Sequence, residues 1–263
     1  MNSFPIDKDG LVMPEKGKAE YQKPIELNPE DTLIMPRGLG TLGFTSSRYW
    51  RDMISDLELD GFTTVPSIKC WDNCSSKYFT DILCRKVGLR TPKTVAISHS
   101  EDAERAVKEL GGKFPIILKT LTGTQGVGVI KIESYEGLVA TLQAMWKLEA
   151  EVLIQEFMPS KFDVRTFVVD NKIFASTKRT HSSYDFRSNT HRGAEAEPYK
   201  LSEEEIELAL KTARLSRAYM CGVDHIVYKN KPYVLEVNGS PGSGADYEGY
   251  QYKDYYSDPE PSG

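Results

Sequence analysis

The chain has 263 residues, 40% hydrophobic and 27% charged, enough apolar material for one or two ordinary globular domains. Its formal net charge of -5 gives no overall attraction to nucleic acid or to an anionic membrane, so neither is expected as a partner. The first thirty residues hold no apolar signal core and no run of about 18 apolar residues occurs anywhere, so neither a secretion signal nor a membrane span is expected. Cys70, Cys74, Cys84 and Cys221 form no C-x-x-C pair and read as reduced, partly buried thiols of a protein in a reducing cytosol.

In chain order, residues 1–30 read as a flexible leader, rich in Asp, Lys, Glu and Pro without periodicity. Thr32 to Met35 is a short strand stopped by Pro36, and a helix from Ser47 to Leu59 leads to a brief strand at Phe62 to Val65. Ser75 or Ser76 caps a helix with the buried stripe Phe79, Ile82, Leu83 and Val87, ended by Gly88. A short helix from Ser100 to Leu110 stops at Gly111 and Gly112.

Strands then dominate. Phe114 to Lys119 and Val127 to Ile132 flank a glycine-rich loop, Ser134 caps a helix carrying Leu138, Leu142 and Met145, and Glu151 to Phe157 is a further strand. A hairpin follows, Asp163 to Val169 and Lys172 to Arg179, turning at Asp170 and Asn171. After a long polar loop, Thr180 to Glu197, Ser202 and Glu205 form a capping box for a helix with Ile206, Ala209, Leu210 and Ala213 on one face. A last hairpin spans Asp224 to Asn238, and residues 246–263 read as a solvated tail.

The most informative stretch is Pro232 to Gly242, because Glu236 and Asn238 at i and i+2 leave one face of an apolar strand. With the turn centred on Asn230, antiparallel register sets Asp224 opposite Glu236. Three hard oxygen donors suit Mg2+. A lone Glu-x-Asn reads more simply as a polar strand end, so the accompanying motifs decide.

Thr120 to Gly128 joins two strands, whereas a Walker loop opens a helix and carries Gly-Lys-Ser/Thr. Its glycines, Gly126 and Gly128 among them, permit close approach of backbone N–H groups to phosphate. Lys119 ends the preceding strand, placing an ammonium beside that loop, and Lys77 is a second cation on a helix face. Gln155, Glu156 and Phe157 close a strand where an adenine edge can be read, and Asp163 can hold a ribose hydroxyl. Each also reads as an ordinary polar or apolar position when taken alone. Arg165, Arg179, Arg187 and Arg192 add paired donors for carboxylate or phosphate, against the plainer reading of surface salt bridges.

In order and spacing over residues 31–244, these motifs resemble the RimK-type ATP-grasp glutamate ligases: Leu118-Lys119, Gly123 to Gly128, Gln155 to Phe157, Asp163 to Arg165, Phe186 to Gly193, Gly222 to Asp224 and Leu235 to Gly242. The resemblance implies an α+β class, the ATP-grasp fold of two lobes clasping ATP, preceded by a truncated α/β pre-grasp region. It implies a leader at 1–30, the shortened region at 31–96, a small lobe at 97–155, a large lobe with the metal site at 156–245 and a tail at 246–263. By the same resemblance Lys77, Lys119, Gly126, Gly128, Glu156, Phe157, Asp163, Arg187, Ser188 and Asn189 bind ATP. Asp224, Glu236 and Asn238 hold two Mg2+ ions, with Mn2+ a substitute, and Arg187, Lys119 and Arg179 supply catalytic charge.

Members of this family activate a carboxylate as an acyl phosphate, which an amine then displaces; RimK itself adds glutamate to the C-terminus of a ribosomal protein. The implied partners are ATP, a protein or peptide carboxylate or a small acid, and an amino acid such as glutamate; separately, the two-strand remnant at Thr32 to Met35 and Phe62 to Val65 leaves an apolar edge that a second copy of the chain or a partner is expected to cover. Competing readings are a small-molecule amino-acid ligase and a nucleotide-binding interaction module that has lost ligation. Only Thr32 to Val65 resembles the family's N-terminal α/β domain, and a tyrosine-rich tail stands where a C-terminal helix is expected. Such an abbreviated relative suits a large bacteriophage and hence a host cytoplasm; otherwise the cytoplasm of its own cell is expected.

Overall fold

The computed structural model describes residues 27–36, 44–121, 128–180 and 195–241, and the chain separates into two units between Ile68 and Lys69. In the first unit β1 (Leu33–Ile34) pairs parallel with β2 (Thr63–Thr64). Between them α1 (Phe44–Leu59) begins ahead of the expected Ser47. Its end is clipped by Glu58, whose Oε1 accepts from Ile68 N at 2.9 Å and from the Thr64 hydroxyl. Gly61 turns the chain at φ +92°, a conformation that a Cβ would penalise. Leu33 and Met35 remain exposed.

The second unit contains two antiparallel sheets. The four-stranded sheet runs in the order β3 (Thr94–Ile97), β6 (Val152–Glu156), β4 (Ile116–Thr120), β5 (Val129–Ile132). The strand β3 was not anticipated, because four residues following Pro92 and Lys93 show no telling alternation. The helices α4 (Ala103–Glu109), entered by a 3-10 turn at Ser100–Asp102, and α5 (Tyr135–Lys147) build its core. Ser134 caps α5 as expected, accepting from Gly137 N at 3.1 Å. Leu118, Leu138, Leu142 and Ile154 are sealed there, each burial stabilising by about 1.5–3 kcal/mol.

The five-stranded sheet has the order β11 (Lys231–Asn238), β10 (Met220–Tyr228), β7 (Phe162–Val169), β8 (Lys172–Thr180), β9 (Glu195–Pro198). Asp170 and Asn171 take φ 48° and 56°, the left-handed pair that a tight hairpin demands. The edge strand β9 falls where a loop was expected; Glu-Ala-Glu-Pro has little strand propensity, and pairing with β8 creates the strand.

One face of this sheet is covered by α6 (Glu203–Leu215), with its capping box as expected. Leu208, Ala209 and Ala213 pack on Val164, Val168, Val223 and Val234. Ile206 and Leu210, expected at the centre, are only partly buried, because the helix turns Glu205 inward. Among the described residues no helix is long and apolar enough to cross a membrane.

Two short helices complete the unit. The eight-residue α2 (Ile68–Ser75) carries too few turns to announce itself in sequence, and α3 (Lys77–Lys86) is capped by Ser76 rather than Ser75. The stripe expected on α3 is overturned. Phe79 and Val87 are exposed, while Thr80, Asp81 and Cys84 are buried, because the inner face of α3 lines a polar cleft and meets the apolar core only through Cys84.

Candidate functional site

The site begins with a register irregularity. The turn at Lys229 and Asn230 pairs Tyr228 with Lys231, which continued regularly would set Asp224 against Leu235. A bulge after the pair His225 and Val234 absorbs Leu235 and sets Asp224 opposite Glu236. The expected pairing therefore holds, although the turn sits half a residue from the expected centre and the bulge makes up the difference. The burial pattern shows the same step: Val234 and Val237 both enter the core, three positions apart.

The row continues across the sheet through Arg165 on β7 and Thr177 on β8. Arg165 grips Asp224 with both prongs, Nε to Oδ1 at 2.7 Å and Nη2 to Oδ2 at 2.6 Å. Arg179 donates from Nη2 to Asp224 Oδ2 at 3.1 Å and from Nε to Asp163 Oδ1 at 2.6 Å. Burial works to raise the Asp224 carboxyl, but the two guanidiniums outweigh it and hold it well below the usual carboxylate range. The two carboxylates in turn hold Arg179 firmly protonated against its own burial.

This network revises two expectations. Arg179 is 3% exposed and committed to two carboxylates, so it positions them rather than meeting a reacting group directly. Asp163, expected at a ribose, is likewise buried against Arg179. Arg165, expected as a paired donor to carboxylate or phosphate, has Asp224 as its carboxylate; it stands two positions from Asp163 on the same face of β7.

Beside the row lies a cleft walled by Lys77, Thr80 and Asp81 of α3, Lys119 of β4, Gln155 of β6 and Leu235 of β11. Both expected lysines thus reach one cavity. Burial pushes the Lys119 ammonium down to about 8, with Glu236 opposing and Lys77 adding to the push. Asp81 anchors the α3 side, accepting from Thr91 Oγ1 at 2.5 Å and Arg85 Nε at 2.9 Å. Glu156 accepts from Lys93 N at 2.7 Å, fixing the end of β6 to the segment before β3, and Lys131 Nζ lies 5.0 Å from the Phe157 ring centre.

Gly128, at φ +80°, closes the base of the glycine-rich loop, where Thr120 N donates to its carbonyl at 2.9 Å. A Cβ there would lie 2.1 Å from Thr120 Oγ1. Gly126, Arg187, Ser188 and Asn189 lie outside the described residues.

Asp224, Glu236 and Asn238 share one sheet face, with Asn238 paired to Gly222 one step along the ladder. Their chemistry fits a hard divalent cation, which prefers carboxylate and amide oxygen. Among the described residues no group of three His, Cys, Asp or Glu side chains forms a metal site. Asn238 Oδ1 accepts from Ser240 N at 3.0 Å, which orients the amide. Asp224 is shared with arginines in this arrangement.

Solved structures define the class. The ATP-grasp ligase PsnB, complexed with a phosphomimetic variant of its minimal precursor, Mg and ADP, superposes with a TM-score of 0.60 at 24% identity, over 77% of this chain and 62% of that one. D-alanine–D-alanine ligase from Bacillus anthracis, complexed with ATP, gives 0.62 at 22% identity, over 74% of this chain and 66% of that one. The fold is the α+β fold of the ATP-grasp ligases, which join a carboxylate to an amine with ATP and Mg2+.

A family model described as the RimK-like ATP-grasp domain matches residues 75–249. The "Probable alpha-L-glutamate ligase" of Vibrio vulnificus (strain YJ016) is 33% identical over 216 residues, 81% of this chain and 70% of that protein. The chain belongs to the RimK-like ATP-grasp family.

Proposed function

We propose that this chain uses ATP to join a carboxylate, at the C-terminus of a protein or peptide, to the amino group of glutamate or a similar amino acid. The supporting observation is the convergence of Lys77 and Lys119 on a cleft whose β11 wall continues directly into Glu236 and Asn238. A carboxylate is ionised at neutral pH and needs no base to attack phosphorus, so positioning and charge neutralisation carry the first step. Lys119 and Lys77 offer that neutralisation, and Arg165 and Arg179 hold Asp224 in the row. The glycine-rich loop, with Gly126 and Gly128, closes over the phosphates and excludes water from the acyl phosphate.

In this reading Glu156 and Phe157 border the adenine, and Arg187, Ser188 and Asn189 the phosphates and reacting carboxylate. Asp224, Glu236 and Asn238 would hold Mg2+, two ions in this reading, for which Mn2+ could substitute. The bound ions supply charge neutralisation at the transferring phosphoryl group. Residues 97–155 form the small lobe and 156–245 the large one, and the protein acts in the cytoplasm.

Mass spectrometry of candidate peptides incubated with the protein, ATP, Mg2+ and glutamate tests the proposal. The expected result is a peptide heavier by one or more glutamyl residues, with phosphate release that requires both peptide and amino acid. ATP binding without such release would overturn it.

A further inference from the structure

None of the four cysteines is in a disulfide; Cys84 lines the cleft, and Cys70, Cys74 and Cys221 lie outside the machinery above. Cys70 and Cys74 stand on successive turns of α2 with their Sγ atoms 4.0 Å apart. Cys84 on α3 and Cys221 on β10 both feel the charge of Cys74. We propose that Cys74 and Cys70 form a reversible dithiol–disulfide pair, with Cys74 the thiol oxidised by a peroxide and Cys70 the thiol that resolves it.

Access and hydrogen bonding sort the four thiols. Cys74 is partly exposed, whereas Cys70 is 1% exposed and Cys84 and Cys221 are 0%. Contact with the Cys70 sulfur, helped by the Ser216 hydroxyl, holds Cys74 below the ordinary thiol range despite burial. The same contact, with burial, holds Cys70 above it. Burial pushes Cys84 up to about 12 and also raises Cys221. Nucleophilic sulfur is therefore concentrated at Cys74.

The chemistry balances with a hydroperoxide as oxidant. The Cys74 thiolate attacks the terminal oxygen, the O–O bond breaks, and the leaving alkoxide or hydroxide takes a proton, leaving Cys74 as a sulfenic acid. Cys70 sulfur, losing its proton, then attacks Cys74 sulfur; an S–S bond forms, the S–O bond breaks and water departs. One peroxide is reduced as two thiols are oxidised, and an external dithiol reverses the change.

The consequence for the nucleotide cleft rests on the function proposed above. A disulfide needs sulfurs about 2.05 Å apart and Cβ atoms about 3.5–4.5 Å apart, closer than successive helical turns allow, so the last turn of α2 must yield. Two attachments transmit that movement. A Cβ at Gly239, which follows Asn238, would lie 3.0 Å from Cys70 Sγ. Ser76, two residues after Cys74, caps the helix that carries Lys77.

Oxidising the full chain with hydrogen peroxide, alkylating it after unfolding and mapping its peptides tests the pair. A Cys70–Cys74 disulfide is expected, with Cys84 and Cys221 alkylated and full reversal by dithiothreitol. Cys70→Ala, checked for folding by circular dichroism, should stop at a Cys74 sulfenic acid that dimedone captures; Cys74→Ser should not. Four surviving thiols, a disulfide through Cys84 or Cys221, or equal dimedone labelling of Cys74→Ser would overturn the pair. ATP affinity of the wild-type chain should fall about tenfold on oxidation and recover on reduction, with no such change in Cys70→Ala. Unchanged affinity in a fully disulfide-bonded chain refutes the coupling. Failure of the reduced chain to bind ATP counts against the ligase reading and leaves the peptide map to decide the pair.

Discussion

Asp224 and His225 are neighbours in β10, and their side chains leave opposite faces of the same sheet. Both are buried within charged networks. Asp224 is held by Arg165 and Arg179, in a row that passes to half-buried Glu236 beside a cleft containing two lysines. His225 Nε2 lies 3.0 Å from Glu205 Oε1 beneath α6, while Glu205 Oε2 accepts from Ser202 N at 2.8 Å and Ser202 Oγ at 2.7 Å. The second network ends at the cap of a helix, with His225 Nδ1 buried and without a hydrogen-bond partner among the described residues. Buried charge alone therefore does not mark a working site; the difference lies in charge left facing an opening.

The comparison breaks most readily at Glu236. Glu236→Ala should lower ligation by a hundredfold to a thousandfold or so while circular dichroism and melting stay near wild type, because transition-state charge loses its partner. Wild-type phosphate release by a folded variant would place the site elsewhere. On the other face, Glu205→Ala should destabilise the chain by about 3 kcal/mol, leaving His225 and the α6 cap without their carboxylate, yet spare turnover per folded molecule. Denaturant titration beside single-temperature kinetics separates these effects, and a loss of kcat with unchanged stability would erase the distinction.

A smaller effect is expected at the loop base. Gly128→Val forces a side chain onto Thr120 at positive φ, at a local cost of about 1–3 kcal/mol. Turnover should fall by more than melting temperature predicts; parallel losses would indicate simple misfolding. The smallest effect concerns acid. Burial favours neutral Glu205, but His225 and Ser202 pull its carboxyl down to about 2, below the ordinary value of about 4.3. Its stabilisation is complete above the ordinary value and is lost as pH falls through about 2. The stability gap between wild type and Glu205→Gln should narrow across that window, and a constant gap would contradict the assignment.

How far these features could be read in advance follows from what carries each signal. The hairpin turns and the caps at Ser134 and Ser202 were legible because turn and cap chemistry is local. The strands β3 and β9 and helix α2 were not, being short segments defined by their neighbours. The stripe on α3 failed for a more telling reason: hydrophobic periodicity assumes that the inner face is apolar, and here it is Thr80, Asp81 and Cys84. At the site, the spacing of Glu236 and Asn238 pointed to one face of oxygen donors, and Lys77 and Lys119 to the cleft. Arg165 and Arg179 read as paired donors, but Asp224 could be named as their carboxylate only once register had placed β7 beside β10.

The bulge at Leu235 has one further consequence. Parity on either side of it is continuous: Val234 belongs with His225, and Glu236 with Asp224. Leu235 is thus a spare letter in an otherwise two-beat line, and removing it would leave the acidic row and the core row each on its own side. It also lines the cleft wall, beside Val234. The strand can therefore vary the size of what it presents there without rewriting either of the faces that hold the protein together or hold its charge.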